Sequence, residues 1–155
     1  NDVKVEASLT YQDVQDKRAG FSNIDQPYSP ELLGYLDISY SLTDKMRVGG
    51  VIRHVGEMEA QWDGAPEAIP SDVPGEPNIL EQGGRIGQTR GAYTLLDVNI
   101  YYDTDVGDNS LSVMLAISNV FDKKYNYPTP NLNTWADKGW PGEERRFDLS
   151  LMYHF

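Results

Sequence analysis

The chain has 155 residues, enough for one domain with a core, and a formal net charge of -11, a balance that repels phosphate backbones and speaks against nucleic-acid binding. It contains no cysteine, which removes disulfides, zinc–thiolate centres and thiol nucleophiles. With a mean hydropathy of -0.53, no run approaches the roughly 20 apolar residues of a membrane-spanning helix, although strands escape that test because only alternate residues face lipid.

Six segments alternate apolar and polar residues with the period of two that an extended chain imposes. The first sets Val3, Val5, Ala7, Leu9 and Tyr11 against Lys4, Glu6, Ser8, Thr10 and Gln12. It is under way almost from Asn1, with no charged and apolar leader before it, so residues are expected to precede it. The second sets Leu36, Ile38, Tyr40 and Leu42 against Asp37, Ser39 and Ser41. The third, the least regular, sets Met46, Val48, Gly50 and Ile52 against Arg47, Gly49, Val51 and Arg53. The fourth sets Leu96, Val98, Ile100 and Tyr102 against Asp97, Asn99, Tyr101 and Asp103, and the fifth Leu111, Val113, Leu115 and Ile117 against Ser112, Met114, Ala116 and Ser118. The sixth closes the chain: Phe147, Leu149, Leu151, Tyr153 and Phe155 share one face, and Asp148, Ser150, Met152 and His154 the other. The one capped helical candidate, Ser29-Pro30-Glu31-Leu32-Leu33, is long enough only for a turn, so the expected class is all-β.

The connections come in two kinds, strictly alternating. Thr43-Asp44-Lys45 and Asp105-Val106-Gly107-Asp108-Asn109 are tight polar turns, whereas about 13–33, 57–92 and 122–145 are long, structureless loops rich in Pro, Gly, Asn and Trp. Compact soluble domains seldom keep loops beyond roughly 12–15 residues, but transmembrane barrels do, with short periplasmic turns at one rim and long extracellular loops at the other. Tyr40, Tyr102, Tyr153 and Phe155 then fall near the short-turn rim, and Tyr11, Tyr93, Phe121, Tyr125 and Phe147 near the long-loop rim. A strand from Phe147 to Phe155 tilted by about 45° climbs roughly 19 Å, close to the apolar band between two aromatic girdles. The polar faces carry Lys4, Glu6, Asp37, Arg47, Arg53, Asp97, Asp103, Asp148 and His154, more charge than a sealed core pairs and natural for an aqueous bore. The expected fold is an antiparallel transmembrane β-barrel segment, and the expected location a bacterial outer membrane.

Catalytic chemistry finds little footing, and the chain is not expected to be an enzyme. His54 and His154 lie at strand ends, and no hydrolase elbow or zinc motif occurs. Asp103, Asp105 and Asp108 stand close in sequence, but without the EF-hand spacing they read as a solvated turn; no metal and no cofactor is expected. Binding is the better expectation, and it belongs to the long loops. Trp62, Trp135 and Trp140 suit the flat face of a chelate, a porphyrin or a sugar, while Arg85 and Arg90 suit an anion. Interface anchoring and loop packing are the competing readings for each.

Asn119-Val120-Phe121-Asp122-Lys123-Lys124-Tyr125 resembles the penultimate-strand signature N-L-F-D-K-x-Y of TonB-dependent outer-membrane receptors, with Val120 in place of the usual Leu. Gly91-Ala92-Tyr93-Thr94-Leu95-Leu96-Asp97 is similar to that family's G-Y-x-x-x-D strand opening. Gly142, Arg145 or Arg146, and a Leu151, Tyr153, Phe155 ending follow in the family's order, with Glu143-Glu144-Arg145-Arg146 standing for the commoner G-x-P-R. The resemblance spans the chain. It implies that 1–155 are the carboxy-terminal six strands of a larger barrel, about 22 strands around an amino-terminal plug, with plug and earlier strands absent. It implies import of a scarce nutrient, most often a ferric siderophore and sometimes haem, cobalamin or a glycan, with TonB-coupled energy. It further implies as partners the rest of the barrel, whether in the same chain or another, outer-membrane lipid and lipopolysaccharide, the barrel-assembly machinery, TonB through the absent plug, and a small metal chelate. Asn119, Phe121, Asp122, Tyr125, Tyr153 and Phe155 are then signature and assembly residues. The rival expectations are a small structural or adhesin-type barrel and a soluble all-β binding module.

Overall fold

A computed structural model describes residues 2–16, 24–59, 61–62, 67–69, 79–81, 85–86, 89–127 and 139–155, with the main chain alone for 16, 24, 61–62, 67–69, 79–81 and 85–86. Every regular element among them is a strand. In chain order these are β1 (Val3–Tyr11), β2 (Gln15–Asp16), β3 (Ile24–Asp25), β4 (Leu32–Thr43), β5 (Met46–Val55), β6 (Gln61–Trp62), β7 (Glu67–Ile69), β8 (Ile79–Glu81), β9 (Arg85–Ile86), β10 (Tyr93–Val106), β11 (Asn109–Ser118), β12 (Asn126–Tyr127), β13 (Trp140–Pro141) and β14 (Arg146–His154).

The six long strands form one antiparallel sheet in the order β1-β4-β5-β10-β11-β14, so each lies beside the long strand before it in sequence. A one-residue slip in any ladder would carry its apolar residues to the opposite face, and the observed register keeps all six in phase. One row across the sheet reads Val5, Ile38, Gly50, Val98, Ile117, Phe147, and the next on that face Val3, Tyr40, Val48, Ile100, Leu115, Leu149. Between them on the other face run Lys4, Ser39, Gly49, Asn99, Ala116 and Asp148. The irregular third segment finds its reason here: a Cβ at Gly49 would come within 2.7 Å of Asn99 Oδ1, so the Asn99 amide occupies the space a side chain would need.

The tight turns share one rim. Gly107, at φ 64°, supplies the left-handed residue of the β10–β11 turn. The β4–β5 turn is closed by the Lys45 N–H donating to Thr43 Oγ1 at 3.2 Å. Lys45 Nζ reaches Asp105 at 2.7 Å and ties the two turns together, while Asp103 accepts from Ser112 Oγ at 2.6 Å. Asn109 donates to the Tyr153 hydroxyl at 2.9 Å, and Tyr153 meets the Phe155 ring edge-on, with centroids 5.0 Å apart. The aromatic girdle expected at this rim thus includes a ring whose polar tip is hydrogen-bonded.

A sheet of this size normally buries its apolar face. Here the only buried hydrophobic residues among those described are Met58, Tyr93 and Leu95, and Phe147, Leu149 and Leu151 are 69%, 64% and 63% exposed. An apolar surface running across six strands far exceeds what a water-soluble monomer leaves bare, so this face belongs against something other than water. Among the described residues, no strand pairs with the outer side of either sheet edge, β1 or β14.

Three expectations change in detail. The wall strands outrun their apolar alternation: β4 begins at Leu32 because β1 continues to pair with it, Tyr11 standing opposite Leu32, and β10 starts at Tyr93, opposite Val55. Ser29–Glu31 lead into that strand without regular structure, held by the Gln12 side-chain amide donating to Ser29 Oγ and Pro30 O, while Leu32 and Leu33 already belong to β4. The long connections are partly structured: β2 pairs with β3, β6 with β9, β7 with β8 and β12 with β13. These ladders of two or three residues carry no apolar periodicity, which is why alternation could not reveal them.

Candidate ligand-binding site

The few buried side chains gather at the rim from which the long loops leave, on the polar face. Tyr93, Leu95 and Asp97 stand on that face of β10, and the chain leaving β11 folds back over them. Asn119 governs the fold-back. It is 3% exposed and sits at φ 50°, a left-handed conformation that Asn and Asp tolerate better than other side-chain-bearing residues. Its side-chain amide donates to Lys123 O and Glu143 O, both at 3.0 Å, while its Oδ1 accepts the Lys123 N–H at 2.9 Å. Its own N–H donates to Asp97 Oδ1 at 2.8 Å, and the next residue's N–H to Leu96 O at 2.8 Å. One buried amide thus satisfies main-chain groups at both ends of the last loop, as burial of polar groups requires.

Asp122 is the second left-handed residue, also at φ 50°, and its carboxylate accepts the Arg145 N–H at 3.0 Å. That bond, followed by the Lys124 ammonium, holds its carboxyl below the usual carboxylate range. Lys124 in turn pairs with Glu144 at 2.7 Å, which raises its pKa above the usual lysine value. Tyr125 completes the hub. Its ring stacks on Tyr93 at 4.4 Å and meets Tyr127 edge-on at 5.3 Å, the two hydroxyls of Tyr125 and Tyr127 being 3.0 Å apart. Burial, and then that hydroxyl contact, push the Tyr125 phenol up to about 12. Gly142 lies against the ring so closely that any Cβ there would strike it, and its N–H donates to Tyr125 O at 2.8 Å.

A pocket of about 270 Å³ opens between this hub and the start of β10, lined by Arg90, Tyr93, Lys123, Lys124, Tyr125 and neighbouring main chain. Arg90, only 7% exposed, is fixed by a two-bond bridge to Met58, at 2.8 and 2.9 Å. Lys123 makes no ion pair among the described residues, so its ammonium remains available. The Lys123 ammonium, with Arg90 in the same lining and stacked phenols beside them, suits a flat, anionic ligand, while Lys124 is already taken by Glu144 and Asp122.

Of the residues expected to bind, Arg90 lies in this pocket. Trp140 pairs with Tyr127 across β12–β13, next to Gly139, whose position lies against Arg90 Nε. Trp62 stands opposite Arg85 in the β6–β9 ladder, but their side chains lie outside the described residues, as does the whole of Trp135. Phe121 is exposed beside the hub, and His54, at the long-loop end of the apolar face, contacts Thr94 Oγ1 at 2.8 Å. Reading the residues as loop ligands missed Tyr93, Lys123, Lys124 and Tyr125 as pocket walls. The available signal was the Asn119–Tyr125 motif itself, whose turn-forming Asn and Asp bring its lysines and tyrosine back over β10.

No protein-family model matches the chain, and no curated protein matches it. Solved structures do. The closed form of the ferric-catecholate import receptor Fiu of E. coli K12 is similar over 97% of this chain, at 27% identity and a TM-score of 0.66. The open form of that receptor is similar over 82%, at 29% identity and a TM-score of 0.56. The chain spans 19% and 16% of those two receptor chains.

Proposed function

We propose, on the premise that this chain is a stretch of TonB-dependent receptor barrel, that it forms part of the wall and outer mouth of an outer-membrane receptor importing a ferric chelate of catecholate type. The apolar face lies against acyl chains and lipopolysaccharide, and the polar face lines the bore. The open edges of β1 and β14 pair with further strands of the same barrel, supplied in one polypeptide or another, because unpaired strand edges in hydrocarbon cost several kcal/mol per group. Energy comes from TonB acting on a plug outside this chain, the assembly machinery inserts the wall, and the protein's role is transport without catalysis.

The observation that carries the ligand reading is the Lys123 ammonium, without an ion pair among the described residues, beside the Tyr93–Tyr125 stack and in one pocket with Arg90. Ferric catecholates are flat-sided and polyanionic, which matches that lining in charge and shape. The test uses the full-length receptor carrying this chain as the sole iron receptor of its host. Lys123→Glu should weaken binding of a ferric catecholate about tenfold or more, the scale of one charge-assisted hydrogen bond, and slow growth on that iron source. Binding unchanged by Lys123→Glu, or growth supported by haem and not by the ferric catecholate, would overturn the reading.

A further inference from the structure

Asp97 is not among the residues that line the pocket, yet its carboxylate joins the polar face of the wall to it. It stands on the polar face of β10 with its side chain 24% exposed, and its two oxygens point to different elements. One takes the Arg53 guanidinium of β5, itself 50% exposed toward the bore. The other takes the Asn119 N–H at 2.8 Å. That N–H belongs to the residue at which the chain leaves β11 and turns through a left-handed conformation, so the direction of everything from Val120 to Tyr125 depends on it. Lys123, Lys124 and Tyr125, one whole side of the pocket, are carried on that turn. The Tyr93–Tyr125 stack repeats the same connection one step nearer the rim, so the Tyr93–Asp97 and Asn119–Tyr125 segments interlock at two points.

The geometry points to Asp97 as a positioning residue of the pocket, with Arg53 as the bore-side charge that keeps its carboxylate aimed. Its effect on ligand rests on the function proposed above; its hold on the loop does not. An amide in its place cannot serve both partners: with its oxygen toward Asn119 it presents N–H groups to the Arg53 guanidinium, donor against donor. The β-ladder bonds of β10 are main-chain bonds and do not use the side chain, so the barrel wall has no need of it.

Asp97→Asn, Asp97→Glu and Arg53→Gln would be made in the full-length receptor. Asp103→Asn is the control: it removes a polar-face carboxylate that accepts from Ser112 and does not touch the hub. Amide hydrogen exchange across 119–127 and affinity for a ferric catecholate are read on each folded, heat-modifiable barrel. Asp97→Asn should raise exchange at Asn119 and Lys123 about tenfold and weaken the chelate severalfold, Arg53→Gln should do the same to a smaller degree, and Asp103→Asn should leave exchange unchanged. Should Asp97→Asn fail to assemble, Asp97→Glu decides: it keeps the charge, displaces the oxygens by one methylene, and should raise exchange likewise. Wild-type exchange in the assembled Asp97 variant overturns the proposal whatever the affinity. Raised exchange with unaltered affinity upholds Asp97 as the support of the loop and overturns the catecholate reading of the pocket.

Discussion

Asn119 and Gly142 show how much of the outer mouth depends on single residues without formal charge. The amide of Asn119 meets three main-chain groups, and the missing side chain of Gly142 leaves room for the Tyr125 ring. Gly142→Ala places a methyl group into that ring, and overpacking of this kind costs about 1–3 kcal/mol. The expected outcome is a lower melting temperature of the detergent-solubilised receptor, together with loss of amide protection at Gly142 in hydrogen exchange. Two titrations set a pH window for the same hub. Asp122 has its pKa lowered in the folded chain, so its contribution is present above the ordinary Asp value and is lost as pH falls through the lower folded value. Tyr125 has its pKa raised, so the folded state retains a proton that the unfolded chain releases; that contribution is complete below about pH 10 and is lost as pH climbs toward about 12. The melting temperature of the detergent-solubilised receptor followed against pH should therefore fall at both acid and alkaline extremes and change little near neutrality. An alkaline fall no smaller in a Tyr125→Phe receptor than in the wild type would contradict the assigned Tyr125 environment.

Among the elements, the two faces of β14 answer differently to the same substitution. Leu149 belongs to the apolar row with Leu115 and Ile100, whereas Ser150 shares the polar face with Met114 and Tyr101. Leu149→Arg puts a cation against acyl chains, at about 2–4 kcal/mol near mid-membrane, while Ser150→Arg adds one to a wet bore. The expected result is a marked fall in heat-modifiable, membrane-inserted receptor for Leu149→Arg and near wild-type levels for Ser150→Arg. Equal behaviour of the pair would remove the assignment of the two faces. The loop elements follow a different rule. Their ladders of two or three residues owe their place to anchors such as the Met58–Arg90 bridge and the Asn119 hub, not to any face of their own.

For the molecule as a whole, a sheet with two open edges, one apolar face and three buried hydrophobic residues among those described has little to hold it together in water. The isolated chain is expected to aggregate or unfold in aqueous buffer and to gain structure only with the remaining barrel in detergent or lipid. Sedimentation and circular dichroism of the refolded 155-residue chain check this, and a folded aqueous monomer would refute it. Much of this architecture was legible in the chain itself. All six wall strands and their two faces follow from alternation, because a strand's side chains have no choice but to point to opposite sides; both tight turns follow from their polar turn residues, and the Asn119–Tyr125 motif marked where the last loop begins. The pocket was not legible in that way. Arg90 could be singled out as a loop cation, but Tyr93, Lys123 and Tyr125 became its neighbours only through a buried amide and two left-handed residues. Periodicity describes a chain that runs straight, and these contacts arise where it turns back to lie over its own wall, joining residues as far apart in sequence as Tyr93 and Tyr125. Local pattern settled the wall; three-dimensional closure of the hub decided the site.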